Sequence, residues 1–158
     1  MTRLIVACDG SCLVNPGGPT GWAWAAEDGS SACGGIESGT NNIGELNAVL
    51  NLLQDFRDTP VLAQIDSQYA MNATVKWVAG WKRKGWRTAS GQPVKNLELV
   101  QQIHAEMQAR RQRGVPIEFE WVKGHNDHPL NTVADELAGQ ASGRAAAGNC
   151  ATVRTPAS

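Results

Sequence analysis

Several things are missing from this chain, and each absence excludes something. No apolar run approaches the length of a membrane span. The N-terminal "MTRLIVACDG" carries one basic residue and a short apolar run, a poor secretory signal. A cytoplasmic protein with no membrane partner is the expectation. The four cysteines, Cys8, Cys12, Cys33 and Cys150, show no C-x-x-C spacing and no histidine at a finger-like distance, which argues against zinc. Cys8 and Cys33 lie in strand-like segments and read as buried, reduced thiols. The most informative gap is in charge. Residues 67–97 contain no Asp or Glu, yet hold Lys76, Lys82, Arg83, Lys84, Arg87 and Lys95. A net charge of −1 therefore hides a two-sided molecule, with the acids spread over the rest of the chain.

What is present reads as one folded unit. The 158 residues, 42% apolar and 18% charged, suit a single domain with one core. Leu4 to Cys8 is a buried strand. "GWAWAAE" and "SACGGIES" flank Asp28-Gly29, a hairpin signal. Asn41 and Asn42 precede a helical run with Leu46, Val49, Leu50 and Leu53 at helical spacing, ended by Pro60. Residues 61–65 form a short apolar strand, and residues 67–80 are helical. An amphipathic helix follows from Asn96, with Leu97, Val100, Ile103 and Met107 on one face. "PIEFEWV" alternates as a strand, and a last helix spans about Thr132 to Ser142. The order βββ-α-β-α-α-β-α implies an α/β fold. Its five-stranded mixed sheet has strands 1–3 antiparallel, strands 4 and 5 parallel to strand 1, and helices on its faces. Residues 143–158 read as a flexible tail.

Four acids stand where a structural role does not need them. Asp9 and Asp66 each end a short apolar strand. If the two strands are parallel neighbours, both carboxylates emerge at the carboxyl edge of the sheet, where open α/β sheets place their sites. Glu45 shares a helix face with Ala48, Val49 and Leu52, and a charge facing a core is costly unless it binds something. Asp135 sits among Val133, Ala134, Leu137 and Ala138. Each also has a plain alternative: a turn residue at Asp9, a helix cap at Asp66, a helix-start acid at Glu45 and a solvated residue at Asp135. No Lys or Arg adjoins any of the four, so a hard divalent cation, magnesium or manganese, is the natural partner. Carboxylates sharing one site suit two ions about 4 Å apart, one activating a water and one stabilising the leaving oxygen of a phosphoryl displacement.

The basic window interleaves Trp77, Trp81 and Trp86 with Lys82, Arg83 and Lys84. Cations beside aromatics suit nucleic acid, although Trp77 and Trp81, four residues apart, also suit core packing. One or two of these rings are expected to be buried. "NPGG" after Asp9 offers backbone amides, or is simply a turn.

Five ordered blocks then carry a resemblance. "DGSCLVNPG" at Asp9, "TNNIGELNAV" around Glu45, "DSQY" at Asp66, "WKRKGWRTASGQPVKN" and "WVKGHNDHPLNTVADELA" resemble type 1 ribonuclease H of the bacterial kind, over about residues 3–142. The resemblance implies a ribonuclease H-like fold, with a catalytic domain over 1–142 and a basic protrusion near 76–95. It implies an endonuclease that cuts the RNA strand of RNA–DNA hybrids, leaving 3′-hydroxyl and 5′-phosphate ends. Asp9, Glu45, Asp66 and Asp135 would hold two Mg²⁺ ions, with Mn²⁺ a possible substitute. His125 would assist proton transfer or product release; its plain reading is a solvated loop residue. His104 and His128 read as structural or solvent-exposed. Asn15, Glu45 and Gln68 would lie near RNA 2′ hydroxyls, and Gly10 and Ser11 would contact the substrate, Gly10 by letting the backbone approach it closely. Thr40, Asn41 and Asn96 would hold a DNA phosphate. Trp77, Trp81, Lys82, Arg83, Lys84 and Trp86 would grip the DNA strand. The expected molecule is a monomer. Many bacterial relatives carry Arg-Met after "TNN" where this chain has Ile43-Gly44, so one basic contact is expected to be missing. The weaker alternatives are a non-catalytic hybrid-binding module, another nuclease of the same superfamily, or a phosphatase using Asp9 as nucleophile.

Overall fold

A computed structural model describes residues 2–123 and 128–158. The chain opens with an antiparallel meander: β1 (Leu4–Cys12), β2 (Thr20–Ala26) and β3 (Ser31–Ile36). It continues through α1 (Asn41–Asp55), β4 (Val61–Ile65), α2 (Gln68–Val75), α3 (Val78–Arg83), α4 (Leu97–Arg113), β5 (Ile117–Trp121), α5 (Pro129–Ala146) and β6 (Val153–Thr155). The sheet order is β5-β4-β1-β2-β3-β6. β4 pairs parallel to β1, with Leu4 opposite Val61 and Cys8 opposite Ile65, and β5 pairs parallel to β4.

The sheet separates two layers by strand alternation. Val6 and Cys8 join Leu46, Val49, Leu52 and Leu53 of α1 and Val100 and Ile103 of α4 in the main core. Ala7, Ala23 and Ala25 face the other way and pack on Ala134, Ala138 and Ala141 of α5. Small side chains on both surfaces let α5 lie close: a Cβ on Gly21 would collide with the Ala138 carbonyl and the Ser142 amide. Cys8 and Cys33 are buried free thiols, as the strand pattern predicts.

Three expectations change. The sheet has six strands among the described residues rather than five. The segment expected to be a flexible tail carries regular structure: α5 runs on to Ala146, and β6 pairs antiparallel with β3. Its composition, small and polar, carries no core pattern; the strand exists because the edge of β3 offers unpaired backbone groups. The helix expected over 67–80 breaks at Lys76–Trp77, where both amides turn back to the Asn72 carbonyl, giving α2 and α3.

Candidate active site

The parallel β1–β4 register brings the two strand-ending acids to one edge. Asp9 lies one residue past Cys8, the last β1 partner of β4, and Asp66 follows Ile65, the last residue of β4. The cap alternative for Asp66 fails, because the hydroxyl of Ser67 caps α2 by accepting from the Ala70 amide. Glu45 comes from the first turns of α1, whose N-terminus is capped by the Thr40 hydroxyl accepting from the Ile43 amide. Gly10 sets how close α1 comes: a Cβ there would collide with the Glu45 amide nitrogen and the Gly44 carbonyl carbon. Gly44 itself lies against the Gly21 carbonyl and Gly10. With no side chain in the crossing, the helix rests on the strand backbone and Glu45 reaches Asp9.

One carboxylate oxygen from each of Asp9, Glu45 and Asp66 lies within 4.8 Å of the others. Asp9 is 3% exposed and Glu45 8%, and the Glu45 Oε2 atom is buried without a hydrogen-bond partner. Burial first, then the negative neighbours, disfavour ionisation. The Asp9 carboxyl is pushed up to about 7, chiefly by burial, and the Gly10 amide donating to Asp9 Oδ1 at 2.9 Å opposes that only in part. Glu45 is pushed well above the usual carboxylate range by burial and then by Asp9. The same field acts on Cys8, whose thiol is raised by burial and then by Glu45, Asp9 and Asp66. Asp135, exposed on α5, adds to the upward push on Asp9 but stands outside the three acids whose oxygens gather within 4.8 Å. The donor set fits a divalent cation: hard oxygens, mutually repelling, with the Glu45 Oε2 atom unpartnered.

The substrate-side residues spread around this edge. The Asn15 Oδ1 atom accepts from the Asn41 amide at 3.1 Å. Asn15, Thr40, Asn41 and Asn96 line a cavity of about 440 Å³ together with Asn42 and Lys95. Neither Asn42 nor Lys95 is singled out as a contact by the sequence patterns, although Asn42 adjoins Asn41 and Lys95 belongs to the basic window. Asn96 holds a left-handed backbone at the start of α4 and donates to the Tyr69 hydroxyl. Gln68 is exposed at the start of α2. The Ser11 hydroxyl lies 3.4 Å from that of Ser142, toward α5.

Trp77, Trp81 and Trp86 are all half-buried, where one or two full burials were expected. Trp77 meets Tyr69 edge-on and Trp81 at a tilt, and Trp86 sits edge-on to His104. They pack one side on the core, so α3 can hold Lys82, Arg83 and Lys84 exposed. His104 is thus a packing residue, and His128 marks the start of α5. His125 lies outside the described residues.

Comparison with known proteins agrees with this arrangement. Residues 1–143 match the family model described as RNase H. A protein of Tropheryma whipplei named Ribonuclease H is 46% identical over 142 residues, covering 89% of this chain and 84% of that protein. A Ribonuclease HI of Streptomyces coelicolor is 43% identical, covering 89% of this chain and 62% of that one. Among solved structures, LC9-RNase H1, described as a type 1 RNase H with the type 2 active-site motif, superposes with a TM-score of 0.71 at 28% identity, over 91% of this chain and 74% of that one. A foamy viral protease-reverse transcriptase in complex with RNA/DNA hybrid shares the fold, with a TM-score of 0.75 at 18% identity, over 89% of this chain and 20% of that one. The ordered sequence blocks, the mixed sheet and the clustered carboxylates thus converge with these likenesses, and the chain belongs to the ribonuclease H family.

Proposed function

We propose that this chain is an endonuclease that hydrolyses the RNA strand of RNA–DNA hybrids, leaving 3′-hydroxyl and 5′-phosphate ends. Asp9, Glu45, Asp66 and Asp135 hold two divalent cations, Mg²⁺ in the first place. The observation that carries the reading is the buried, unbalanced set of Asp9, Glu45 and Asp66, with oxygens within 4.8 Å and an orphaned Glu45 Oε2. When bound, the ions supply the positive charge that makes an attacking water acidic and stabilises the leaving oxygen. The Gly10 amide fixes Asp9 Oδ1, and the close Gly10–Gly44 crossing fixes the height of Glu45. Asp135 adds its carboxylate from the far layer through α5. His125 assists proton transfer from outside the ligand set.

On the substrate side, Lys82, Arg83 and Lys84 meet phosphates and release counterions, while the half-buried tryptophans keep α3 rigid beneath them. Gly10, Ser11, Asn15 and Gln68 lie along the RNA strand, where a 2′ hydroxyl distinguishes it from DNA. The cavity that Thr40, Asn41 and Asn96 help to line takes a DNA-strand phosphate, positioning the duplex without reading its sequence.

The deciding assay uses one labelled hybrid, one RNA duplex and one DNA duplex, each with and without Mg²⁺. Cleavage confined to the RNA of the hybrid, and only with metal, is expected. Asp66→Asn abolishes cleavage and leaves hybrid binding largely intact, because binding rests on the basic surface. A variant that cut at the wild-type rate would remove Asp66 from the ligand set.

A further inference from the structure

The two ends of the sheet guard their edges in different ways. β5, at one end, carries its own exposed acids, Glu118 and Glu120, and follows directly on Pro116. Charged side chains and proline keep an edge strand from pairing with another chain. β3, toward the other end, has neither. Its sequence SACGGI holds no charge and no proline, and Ala32 and Cys33 are buried. Left uncovered, β3 would present a row of unpaired amides and carbonyls. β6 lies on that row.

β6 covers the edge without being packed into the fold. Val153, Arg154 and Thr155 pair with Cys33, Ala32 and Ser31, and all three are exposed. The other ties of this segment are polar. The Gly35 amide donates to the Cys150 carbonyl at 3.4 Å, and the Ser158 amide to the Asp28 carbonyl at 2.9 Å. Arg154 reaches Asp55 with its own side chain 54% exposed. A cavity of about 630 Å³ separates β6 from the end of α1, lined by Trp24, Asp55 and Phe56 on one side and Arg154, Thr155 and Pro156 on the other. A strand held by edge hydrogen bonds and a screened ion pair, with none of its side chains buried, belongs to the low-stability end of a structure and opens at little cost.

What takes its place follows from the pairing geometry. β6 runs antiparallel to β3. Two copies of β3 brought together across a two-fold axis also run antiparallel, so a second β3 meets the backbone groups that β6 releases. β3 has 6 residues against the 3 of β6, so the ladder between copies can be longer than the one it replaces. Neither β3 carries a charge, so nothing on the strands repels the partner. β6, by contrast, presents Arg154 and is followed by Pro156, which has no amide to donate. The closed chain thus shows an edge that resists pairing, and the open chain one that favours it.

We propose that the β3 edge is a self-association surface kept closed by β6, and that displacing β6 converts the chain from a monomer into an antiparallel β3–β3 dimer. The test compares the full-length wild type with Val153→Pro/Arg154→Pro/Thr155→Pro, which removes the ladder donors of β6 and leaves β3 untouched. A third protein adds Ser31→Lys to that open variant. All are kept in reducing buffer, so that Cys33 and Cys150 cannot cross-link copies. Sedimentation equilibrium reads the mass from low to high micromolar protein. Hydrogen exchange followed by mass spectrometry locates the protected amides, and far-UV circular dichroism follows the fold.

The wild type is expected to stay monomeric, and the open variant to rise to about twice that mass with concentration. In its dimer the amides of Ser31–Ile36 should exchange on the order of 100-fold slower than in the dilute open monomer. Ser31→Lys sets like charges on the paired strands and returns the open variant to a monomer. In the wild type itself, the amides of Val153–Thr155 should exchange on the order of 100-fold faster than those of β1, because β6 opens locally. An open variant that stays monomeric at every concentration would overturn the proposal. So would a dimer whose Ser31–Ile36 amides remain fast, or one that Ser31→Lys leaves intact. Loss of the circular dichroism of the open variant would overturn it too, by making β6 a support of the fold rather than a cover. Wild-type β6 amides as slow as those of β1 would do the same without any variant.

Discussion

Among the described residues, two places bury charge, and they treat it in opposite ways. At the far end of α1, Arg110 is 1% exposed, yet its guanidinium is held within the chain. It donates to the carbonyls of Phe56, of Thr59 at 2.7 Å and of Pro116 at 3.2 Å, closing the turn out of α1 and the approach to β5. Only its Nε atom has no partner. At the carboxyl edge of β1, Asp9 and Glu45 are almost as buried, but their neighbours are other carboxylates. The chain completes the first site with its own dipoles. It leaves the second with surplus negative charge, which destabilises the fold unless a cation from outside joins it. The first arrangement serves structure; the second makes sense only as a site.

The contrast predicts opposite responses to removing a charge. Asp9→Asn is expected to reduce hybrid cleavage by on the order of 1,000-fold, the scale of losing a main electrostatic group. The same change should raise the Tm of the metal-free protein, since it relieves repulsion, and should diminish the stabilisation that Mg²⁺ gives the wild type. A metal-free Tm below that of the wild type would mean that Asp9 supports the fold as Arg110 does. Arg110→Met is the mirror experiment. It keeps most of the stem's packing but orphans the carbonyls, costing roughly 3 kcal/mol of stability. Urea denaturation reads this loss, and kcat below the unfolding transition should stay near wild type.

A smaller effect follows from pH. Asp9 ionises near 7 in the folded, metal-free chain against an ordinary value of 3.8, and Glu45 is shifted in the same direction. A folded value above the unfolded one contributes stability that is complete below the unfolded value and disappears as pH rises through the folded one. The metal-free protein should therefore lose about 2 kcal/mol between pH 5.5 and 8. Saturating Mg²⁺ at pH 8 should restore it. Equal stability at both pH values without metal would show that the cluster is not strained as described.

Much of this contrast was legible in the sequence, and unevenly so. Asp9 and Asp66 showed themselves by ending apolar strands, and the β-α-β order implied the parallel pairing that the β1–β4 register displays. Glu45 was visible as an acid on an apolar helix face. Arg110 was not. It lies in "QARRQR", a run that reads as a solvated helix end, and nothing local says which of its cations turns inward to meet carbonyls from residues 56 and 59. Such partners are set by tertiary packing, beyond any window of sequence. The same holds for β6: backbone pairing at a sheet edge needs no side-chain pattern, so the tail's small, polar composition concealed it.

β6 supplies the mildest test of the comparison, since it holds a charge that is paired but not buried. Arg154 reaches Asp55 at the end of α1, and that carboxylate also accepts from the Trp24 indole at 2.8 Å. The Arg154 side chain is 54% exposed and that of Asp55 21%, so water and salt screen the pair. Arg154→Ala should cost about 0.5 kcal/mol, less at high salt, with cleavage unchanged. Three cases then rank by what surrounds the charge: carboxylates without a counter-charge, a guanidinium enclosed by carbonyls, and an ion pair open to solvent. If Arg154→Ala instead cost as much as Arg110→Met, enclosure would not be what separates the last two. The strand it anchors, which lies beyond the matched residues 1–143, would then rank with the α1 closure as a support of the fold.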